Sequence, residues 1–170
     1  MPNPRAVLVG PPGCGKSTIG RRLAHALNLP HLDTDDLIAQ RFHKPCGAVL
    51  QSLGEPEFRK IEAEEVAKAL DSEGIVSLGG GAVLTDSTRE LLQQHTTVYI
   101  KIGVSEGLLR TKNDRSRPLL VGGDPAEKYR TLLTKREPLY AEVASIIVHG
   151  DGRHSRDVAS EVLRHLDDLA

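Results

Sequence analysis

The stretch AVLVGPPGCGKST, residues 6 to 18, constrains this 170-residue chain more than any other. Four apolar residues run into Gly10-Pro11-Pro12-Gly13-Cys14-Gly15-Lys16-Ser17, which fits the pattern G-x-x-x-x-G-K-[ST]. That pattern has meaning only between a strand and a helix. AVLV reads as a buried strand, and Ile19, Leu23 and Leu27 repeat at i, i+4, i+8 behind it, which is helical spacing. Glycines let the backbone curl so that successive N–H groups point inward, and the helix N-terminus adds positive partial charge. The segment Gly13, Cys14, Gly15, Lys16, Ser17, Thr18 is therefore read as a nucleotide-phosphate cradle, with Lys16 reaching the outer phosphates and Ser17 placed to bind Mg2+. A plain Gly/Pro turn would need neither the Lys-Ser pair nor three glycines at these offsets.

The rest of the chain continues the alternation. IVSL (75 to 78), TVYIKI (97 to 102) and SIIV (145 to 148) read as further buried strands, and PHLD (30 to 33) as a weaker fifth. Val158, Val162 and Leu166 repeat the helical spacing near the C-terminus. Strand-helix alternation predicts an α/β fold of three layers, with a five-stranded parallel sheet flanked by helices. A chain of this length makes one domain, residues 1–170, burying about 70% of its unfolded surface. Asn28 and Pro30 end the first helix, and Asp86 or Ser87 is expected to cap a helix running through Leu92. Residues 111–124, TKNDRSRPLLVGGD, lack periodicity and read as a mobile lid loop.

Composition excludes several function classes. Lys plus Arg (22) nearly balance Asp plus Glu (23), so no long-range field attracts DNA or a membrane surface. Two Phe, three Tyr and no Trp leave little to stack nucleobases on. Cys14 and Cys46 lack zinc spacing, which fits a reduced, cytoplasmic protein. The N-terminus has no signal-peptide pattern, and no run of 18 apolar residues occurs, so neither export nor a membrane span is expected.

A phosphate cradle leaves open what receives the phosphate. Three carboxylates, Asp33, Asp35 and Asp36, crowd the end of the second strand, where like charges repel unless a cation or a hydrogen-bonding substrate compensates them. Leu78-Gly79-Gly80-Gly81 ends another strand, and bare backbone there can approach a ligand closely. Arg59, Arg117 and Arg136 are expected to be free of i, i+4 ion pairs, and Arg117 lies in the lid stretch, where a cation can swing onto a transferring phosphate. A GTPase-like switch is disfavoured. Thr111-Lys112-Asn113-Asp114 is only a degenerate guanine-reading element following a helix, and no D-x-x-G follows a strand.

GPPGCGKST, LDTD, EFRKIE, LGGGAV, RPLL and KREPLY, in this order, resemble shikimate kinase along nearly the whole chain. The resemblance implies transfer of the γ-phosphate of ATP to the 3-hydroxyl of shikimate, on the route to aromatic amino acids, with Mg2+ as cofactor. It implies that Asp35 holds the shikimate hydroxyls and accepts the attacking proton, and that Asp33 holds Mg2+ through water together with Ser17. It further implies that Arg59 and Arg136 clamp the shikimate carboxylate, that Gly80 and Gly81 bind the same ligand, and that the substrate segment spans about 33–62. Lys16, Asp35 and Arg117 would be catalytic, Arg117 closing over ATP and Arg153 lying beside the adenine. Asp36 has no counterpart and is expected to cap the next helix.

Leu50 stands where relatives carry an aromatic, which would thin the shikimate-facing wall. Cys14 replaces a small residue, and its place near Lys16 and a helix N-terminus raises the expectation of an oxidant-sensitive thiol, against that of an inert one. A P-loop kinase acting on gluconate and a non-catalytic nucleotide-binding module are the alternatives. The small-molecule partners expected are ATP and shikimate, bound to a monomer.

Overall fold

The computed structural model describes residues 3–112 and 123–169. Its strands are β1 (Ala6–Val9), β2 (His31–Asp33), β3 (Ile75–Ser77), β4 (Thr97–Lys101) and β5 (Ile146–His149). They form one sheet in the order β2-β3-β1-β4-β5, and every pair is parallel. β1 is central: Val7 sits opposite Val76 of β3 on one side and Thr97 of β4 on the other. The chain therefore leaves β1 where the neighbouring strands lead off in opposite directions, the crevice in which open α/β sheets bind ligands.

Side-chain alternation along β1 divides the core. Ala6 and Leu8 point to the face covered by α1 (Lys16–Leu27) and α8 (Ser155–Asp168), where they meet Ile19, Leu23, Val158 and Val162. Val7 and Val9 point to the face covered by α4 (Glu55–Ala69), α5 (Asp86–Leu92) and α7 (Pro125–Val143), where they meet Val66, Leu92, Tyr99 and Tyr140. Each such aliphatic side chain, removed from water, contributes about 1.5–3 kcal/mol. A third, smaller cluster of Ile38, Val49 and Phe58 joins α2 (Thr34–Phe42), α3 (Cys46–Leu53) and α4 away from the sheet. The remaining helix, α6 (Val104–Thr111), ends on the first residue of the degenerate guanine-reading stretch, which thus begins at a helix and not at a strand end. No helix among the described residues is long and apolar enough to cross a membrane.

Helix ends follow the sequence with two corrections. α1 stops at Asn28, which adopts the left-handed conformation (φ 56°) and returns its N–H to α1 carbonyls. α5 begins at Asp86, one residue earlier than a capping Asp86 would place it and two earlier than a capping Ser87. Extended Thr85 is the cap residue, and the Asp86 carboxylate pairs with Arg89. Asp36 does not cap α2 either. Asp33 still has strand dihedrals and accepts the N–H groups of Asp35 (2.9 Å) and Asp36 (3.3 Å), so it is the N-cap.

Candidate active site

The loop after β1 is held open by glycine. Gly13 and Gly15 have φ of 83° and 93°, which L-residues with a Cβ rarely adopt. Lys16 folds back over this loop, its Nζ donating to the carbonyls of Gly10 (2.7 Å) and Pro11 (3.3 Å). An ammonium held only by its own loop can exchange those carbonyls for phosphate oxygens. Ser17 donates its hydroxyl to Asp33 Oδ2, while Asp33 Oδ1 caps α2, so one carboxylate joins the phosphate loop to the helix that carries Asp35. Thr18 is exposed and accepts from Arg21 at 3.3 Å.

Cys14 is fully buried within the sheet-α1-α8 core, its Sγ 3.7 Å from Lys16 Nζ. This overturns the expectation of an oxidant-sensitive thiol, because the group has no exposure to a reagent. Arg153 spends its guanidinium on Glu161 (2.7 Å) and the His149 carbonyl (2.8 Å). Arg110, which the sequence did not single out, lies against the phosphate loop instead, 3.2 Å from the Gly13 carbonyl and 3.0 Å from that of Gly150. Arg117 lies outside the described residues.

Beside the loop opens a cavity of about 330 Å³ that has Pro12 as a shared wall. Asp35, Arg59, Gly80, Gly81 and Arg136 all line it, although they come from three helices and a loop. Arg59 was expected to lack ion pairs, and here the structure corrects the sequence reading. It pairs with Glu55 (3.2 Å, i,i+4) and Glu62 (2.9 Å, i,i+3), both on its own helix. Its Nε is nonetheless buried without a hydrogen-bond partner. Arg136 is only 5% exposed, and among the described residues no carboxylate lies within ion-pair distance of it.

Glu62 and Cys46 also line the cavity and were not anticipated as site residues. Glu62 is buried, and loss of hydration pushes its pKa from 4.5 up to about 7, with neighbouring Arg59 pulling the other way. Burial, then the Asp33 charge, raises the pKa of Asp36 at the exposed rim. Leu50 does stand in the cavity wall, but Phe58 stands there with it, so the wall retains an aromatic ring.

The glycine turn is shaped by these side chains. A Cβ on Gly81 would come within 2.6 Å of the Arg59 guanidinium carbon, and one on Gly79 would overlap the Asp35 carboxylate. Two phenols of α7 pin the backbone on either side of the cavity: Tyr129 donates to the Pro12 carbonyl (2.7 Å) and Tyr140 to that of Gly80 (2.5 Å).

A phosphate loop sharing a wall with a small, arginine-lined cavity is the layout of a small-molecule kinase, and comparison with known proteins decides which. The family model for shikimate kinase matches residues 12–167. The chain belongs to the shikimate kinase family. It is 54% identical over 168 residues to a shikimate kinase of Corynebacterium efficiens, covering 99% of each chain. It is 56% identical over 164 residues to that of Corynebacterium glutamicum, covering 96% of this chain and 97% of the relative. A solved shikimate kinase from Acinetobacter baumannii in complex with shikimate superposes with a TM-score of 0.94 at 34% identity, covering 98% of this chain and 94% of that one. The family membership makes this chain an ATP-dependent kinase, and the five-stranded parallel sheet flanked by helices is the fold of its structural neighbours.

Proposed function

We propose that this chain phosphorylates the 3-hydroxyl of shikimate with ATP, giving shikimate 3-phosphate and ADP on the route to chorismate and the aromatic amino acids. The observation that carries the reading is the convergence of Asp35, Arg59, Gly80, Gly81 and Arg136 on one cavity walled by the phosphate loop. A buried guanidinium with no carboxylate partner among the described residues, in the same cavity as another with a bare Nε, is an environment that asks for an anion. The carboxylate of shikimate supplies one.

In this mechanism the backbone of Gly13, Cys14 and Gly15 holds the phosphates, with Ser17 and Thr18 at the start of α1. Lys16 releases the loop carbonyls and stabilises charge on the transferring group. Arg59 and Arg136 seat the acceptor, so that its hydroxyl meets Asp35, which orients it and accepts its proton. Arg117, within a lid over 111–124, closes on the phosphates, and Arg153 lies at the nucleotide end. The segment 33–62 serves as the acceptor half of a single 1–170 domain, acting as a cytoplasmic monomer.

Ser17 and Asp33 present a hydroxyl and a carboxylate side by side, a hard oxygen set that fits Mg2+. Among the described residues no group of three or more His, Cys, Asp or Glu is placed to hold a metal alone. When bound, Mg2+ neutralises charge on the phosphates.

The test is ADP release from Mg-ATP with shikimate, with gluconate or with no acceptor, run beside Asp35→Asn. Shikimate-dependent turnover that drops about 10²-fold or more in the variant is the expected result. Turnover with gluconate alone would overturn the acceptor, and a loss confined to KM would reduce Asp35 to a binding role.

A further inference from the structure

Cys46 opens α3, and its side chain faces the acceptor cavity. Its Sγ lies 3.5 Å from Asp35 Oδ1, with the thiol as donor. The same oxygen lies close to Gly79, where a Cβ would overlap it. Oδ1 therefore meets both a thiol from the start of α3 and bare backbone from the turn after β3. Of the staggered wells open to an aspartate in the first turn of a helix, only some aim an oxygen at a substrate hydroxyl, and a donor on Oδ1 favours one of them.

The thiol is suited to this task. Burial, and after it the negative charge of Asp35, pushes its pKa far above the ordinary thiol value, so it remains an S–H donor throughout the neutral range. Asp33 from β2 and Glu62 from α4 add to the same negative environment. The cavity's appetite for a ligand is shown independently of Cys46 by Arg136, buried without a carboxylate partner among the described residues, and by the bare Arg59 Nε.

We propose that Cys46 is a positioning residue for phosphoryl transfer, its thiol fixing the Asp35 carboxylate in the orientation that receives the acceptor hydroxyl. The inference rests on the reading of Asp35 as the acceptor-side carboxylate. A thiol is a weak donor, so the effect is modest in energy. It falls on orientation at the reacting centre, where small misplacements are felt in rate.

The decisive pair is Cys46→Val and Cys46→Thr, which share a shape and differ in one hydroxyl donor. Steady-state kcat, KM for shikimate and for ATP, and melting temperature are measured for both, beside wild type and Asp35→Asn. Cys46→Val is expected to lower kcat about three- to tenfold relative to Cys46→Thr, the scale of one modest hydrogen bond, with ATP KM and melting temperature alike in the two. Equal kcat in the pair, or a faster Val variant, overturns the proposal and makes Cys46 a packing residue of the Ile38, Val49 and Phe58 cluster. If added bulk unfolds both, Cys46→Ala against Cys46→Ser makes the same comparison at smaller volume. Wild type inactive with shikimate, or Asp35→Asn fully active, overturns the functional reading and this one with it. An inactive Asp35→Asn beside an indifferent Cys46 pair overturns this one alone.

Discussion

The two halves of the site are built on opposite principles. The donor half is one contiguous loop whose shape is carried by backbone: glycines at positive φ, N–H groups at a helix start, and a buried Cys14 that anchors the loop to the main core. The acceptor half gathers side chains from α2, α3, α4 and α7 around a glycine turn, and its α2–α3 side rests on the small cluster of Ile38, Val49 and Phe58, away from the sheet. Backbone recognition tolerates changes of side chain so long as the chain can still curl. Side-chain recognition depends on charges that must compensate one another, as Arg59 does with Glu55 and Glu62. Damage to the donor half should therefore appear in the rate of transfer. In the acceptor half, loss of a clamping arginine should appear in substrate affinity and loss of the buried Glu62 in pH response, while Asp35 and the Cys46 beside it act on rate because they face the reacting hydroxyl.

The sharpest break in this contrast is Lys16→Met. It removes the ammonium that folds over the phosphate loop, and kcat/KM for ATP is expected to fall about 10²- to 10³-fold. Shikimate affinity, measured by direct titration, should stay near wild type, and a parallel loss there would merge the two halves into one. Next comes Arg136→Met, which takes a buried cation from the acceptor half. The KM for shikimate should rise about 10- to 100-fold, the scale of a hydrogen bond to a charged group, with the KM for ATP unchanged.

The smallest effect sharpens the comparison through pH. Folded Glu62 holds its proton up to about pH 7, whereas an ordinary glutamate releases it near 4.5. Between those values the folded chain binds more protons than the unfolded one, so Glu62 makes stability fall as pH rises. Glu62→Gln should remove that contribution, so its melting temperature should decline less than that of wild type across the same window. Identical slopes would mean that the carboxylate is ionised throughout, with Arg59 outweighing burial.

The same contrast governs what the sequence reveals. All five strands, the phosphate loop, the end of α1 at Asn28 and the GGG turn are local patterns, and each lies where its pattern places it, the strand ends to within one residue. The acceptor half is harder to read because its chemistry is made by pairs brought together in space. Cys46 meets Asp35 only because α2 turns back into α3. Glu62 is an ionisable residue on a helix whose polar and apolar faces are poorly separated, so nothing in the sequence marks its burial. One signal was available: Glu55, Arg59 and Glu62 have the spacing of helical ion pairs within GEPEFRKIE, and that spacing predicts the bonds the structure contains. Asp33 shows a different limit, since a residue at the joint of strand and helix can cap one element while bonding Ser17 of another.

The paired phenols of α7 have a mechanical consequence. Tyr129 and Tyr140 sit on one helix about 16 Å apart, at 1.5 Å of rise per residue, and each grips a different loop. A thermal displacement of that helix along its axis carries both grips in the same sense. The separation between phosphate loop and glycine turn is then insensitive to common motion, as the spacing of two jaws on a single bar survives a shove to the bar, and Arg136, mounted between them, keeps its aim while the frame vibrates.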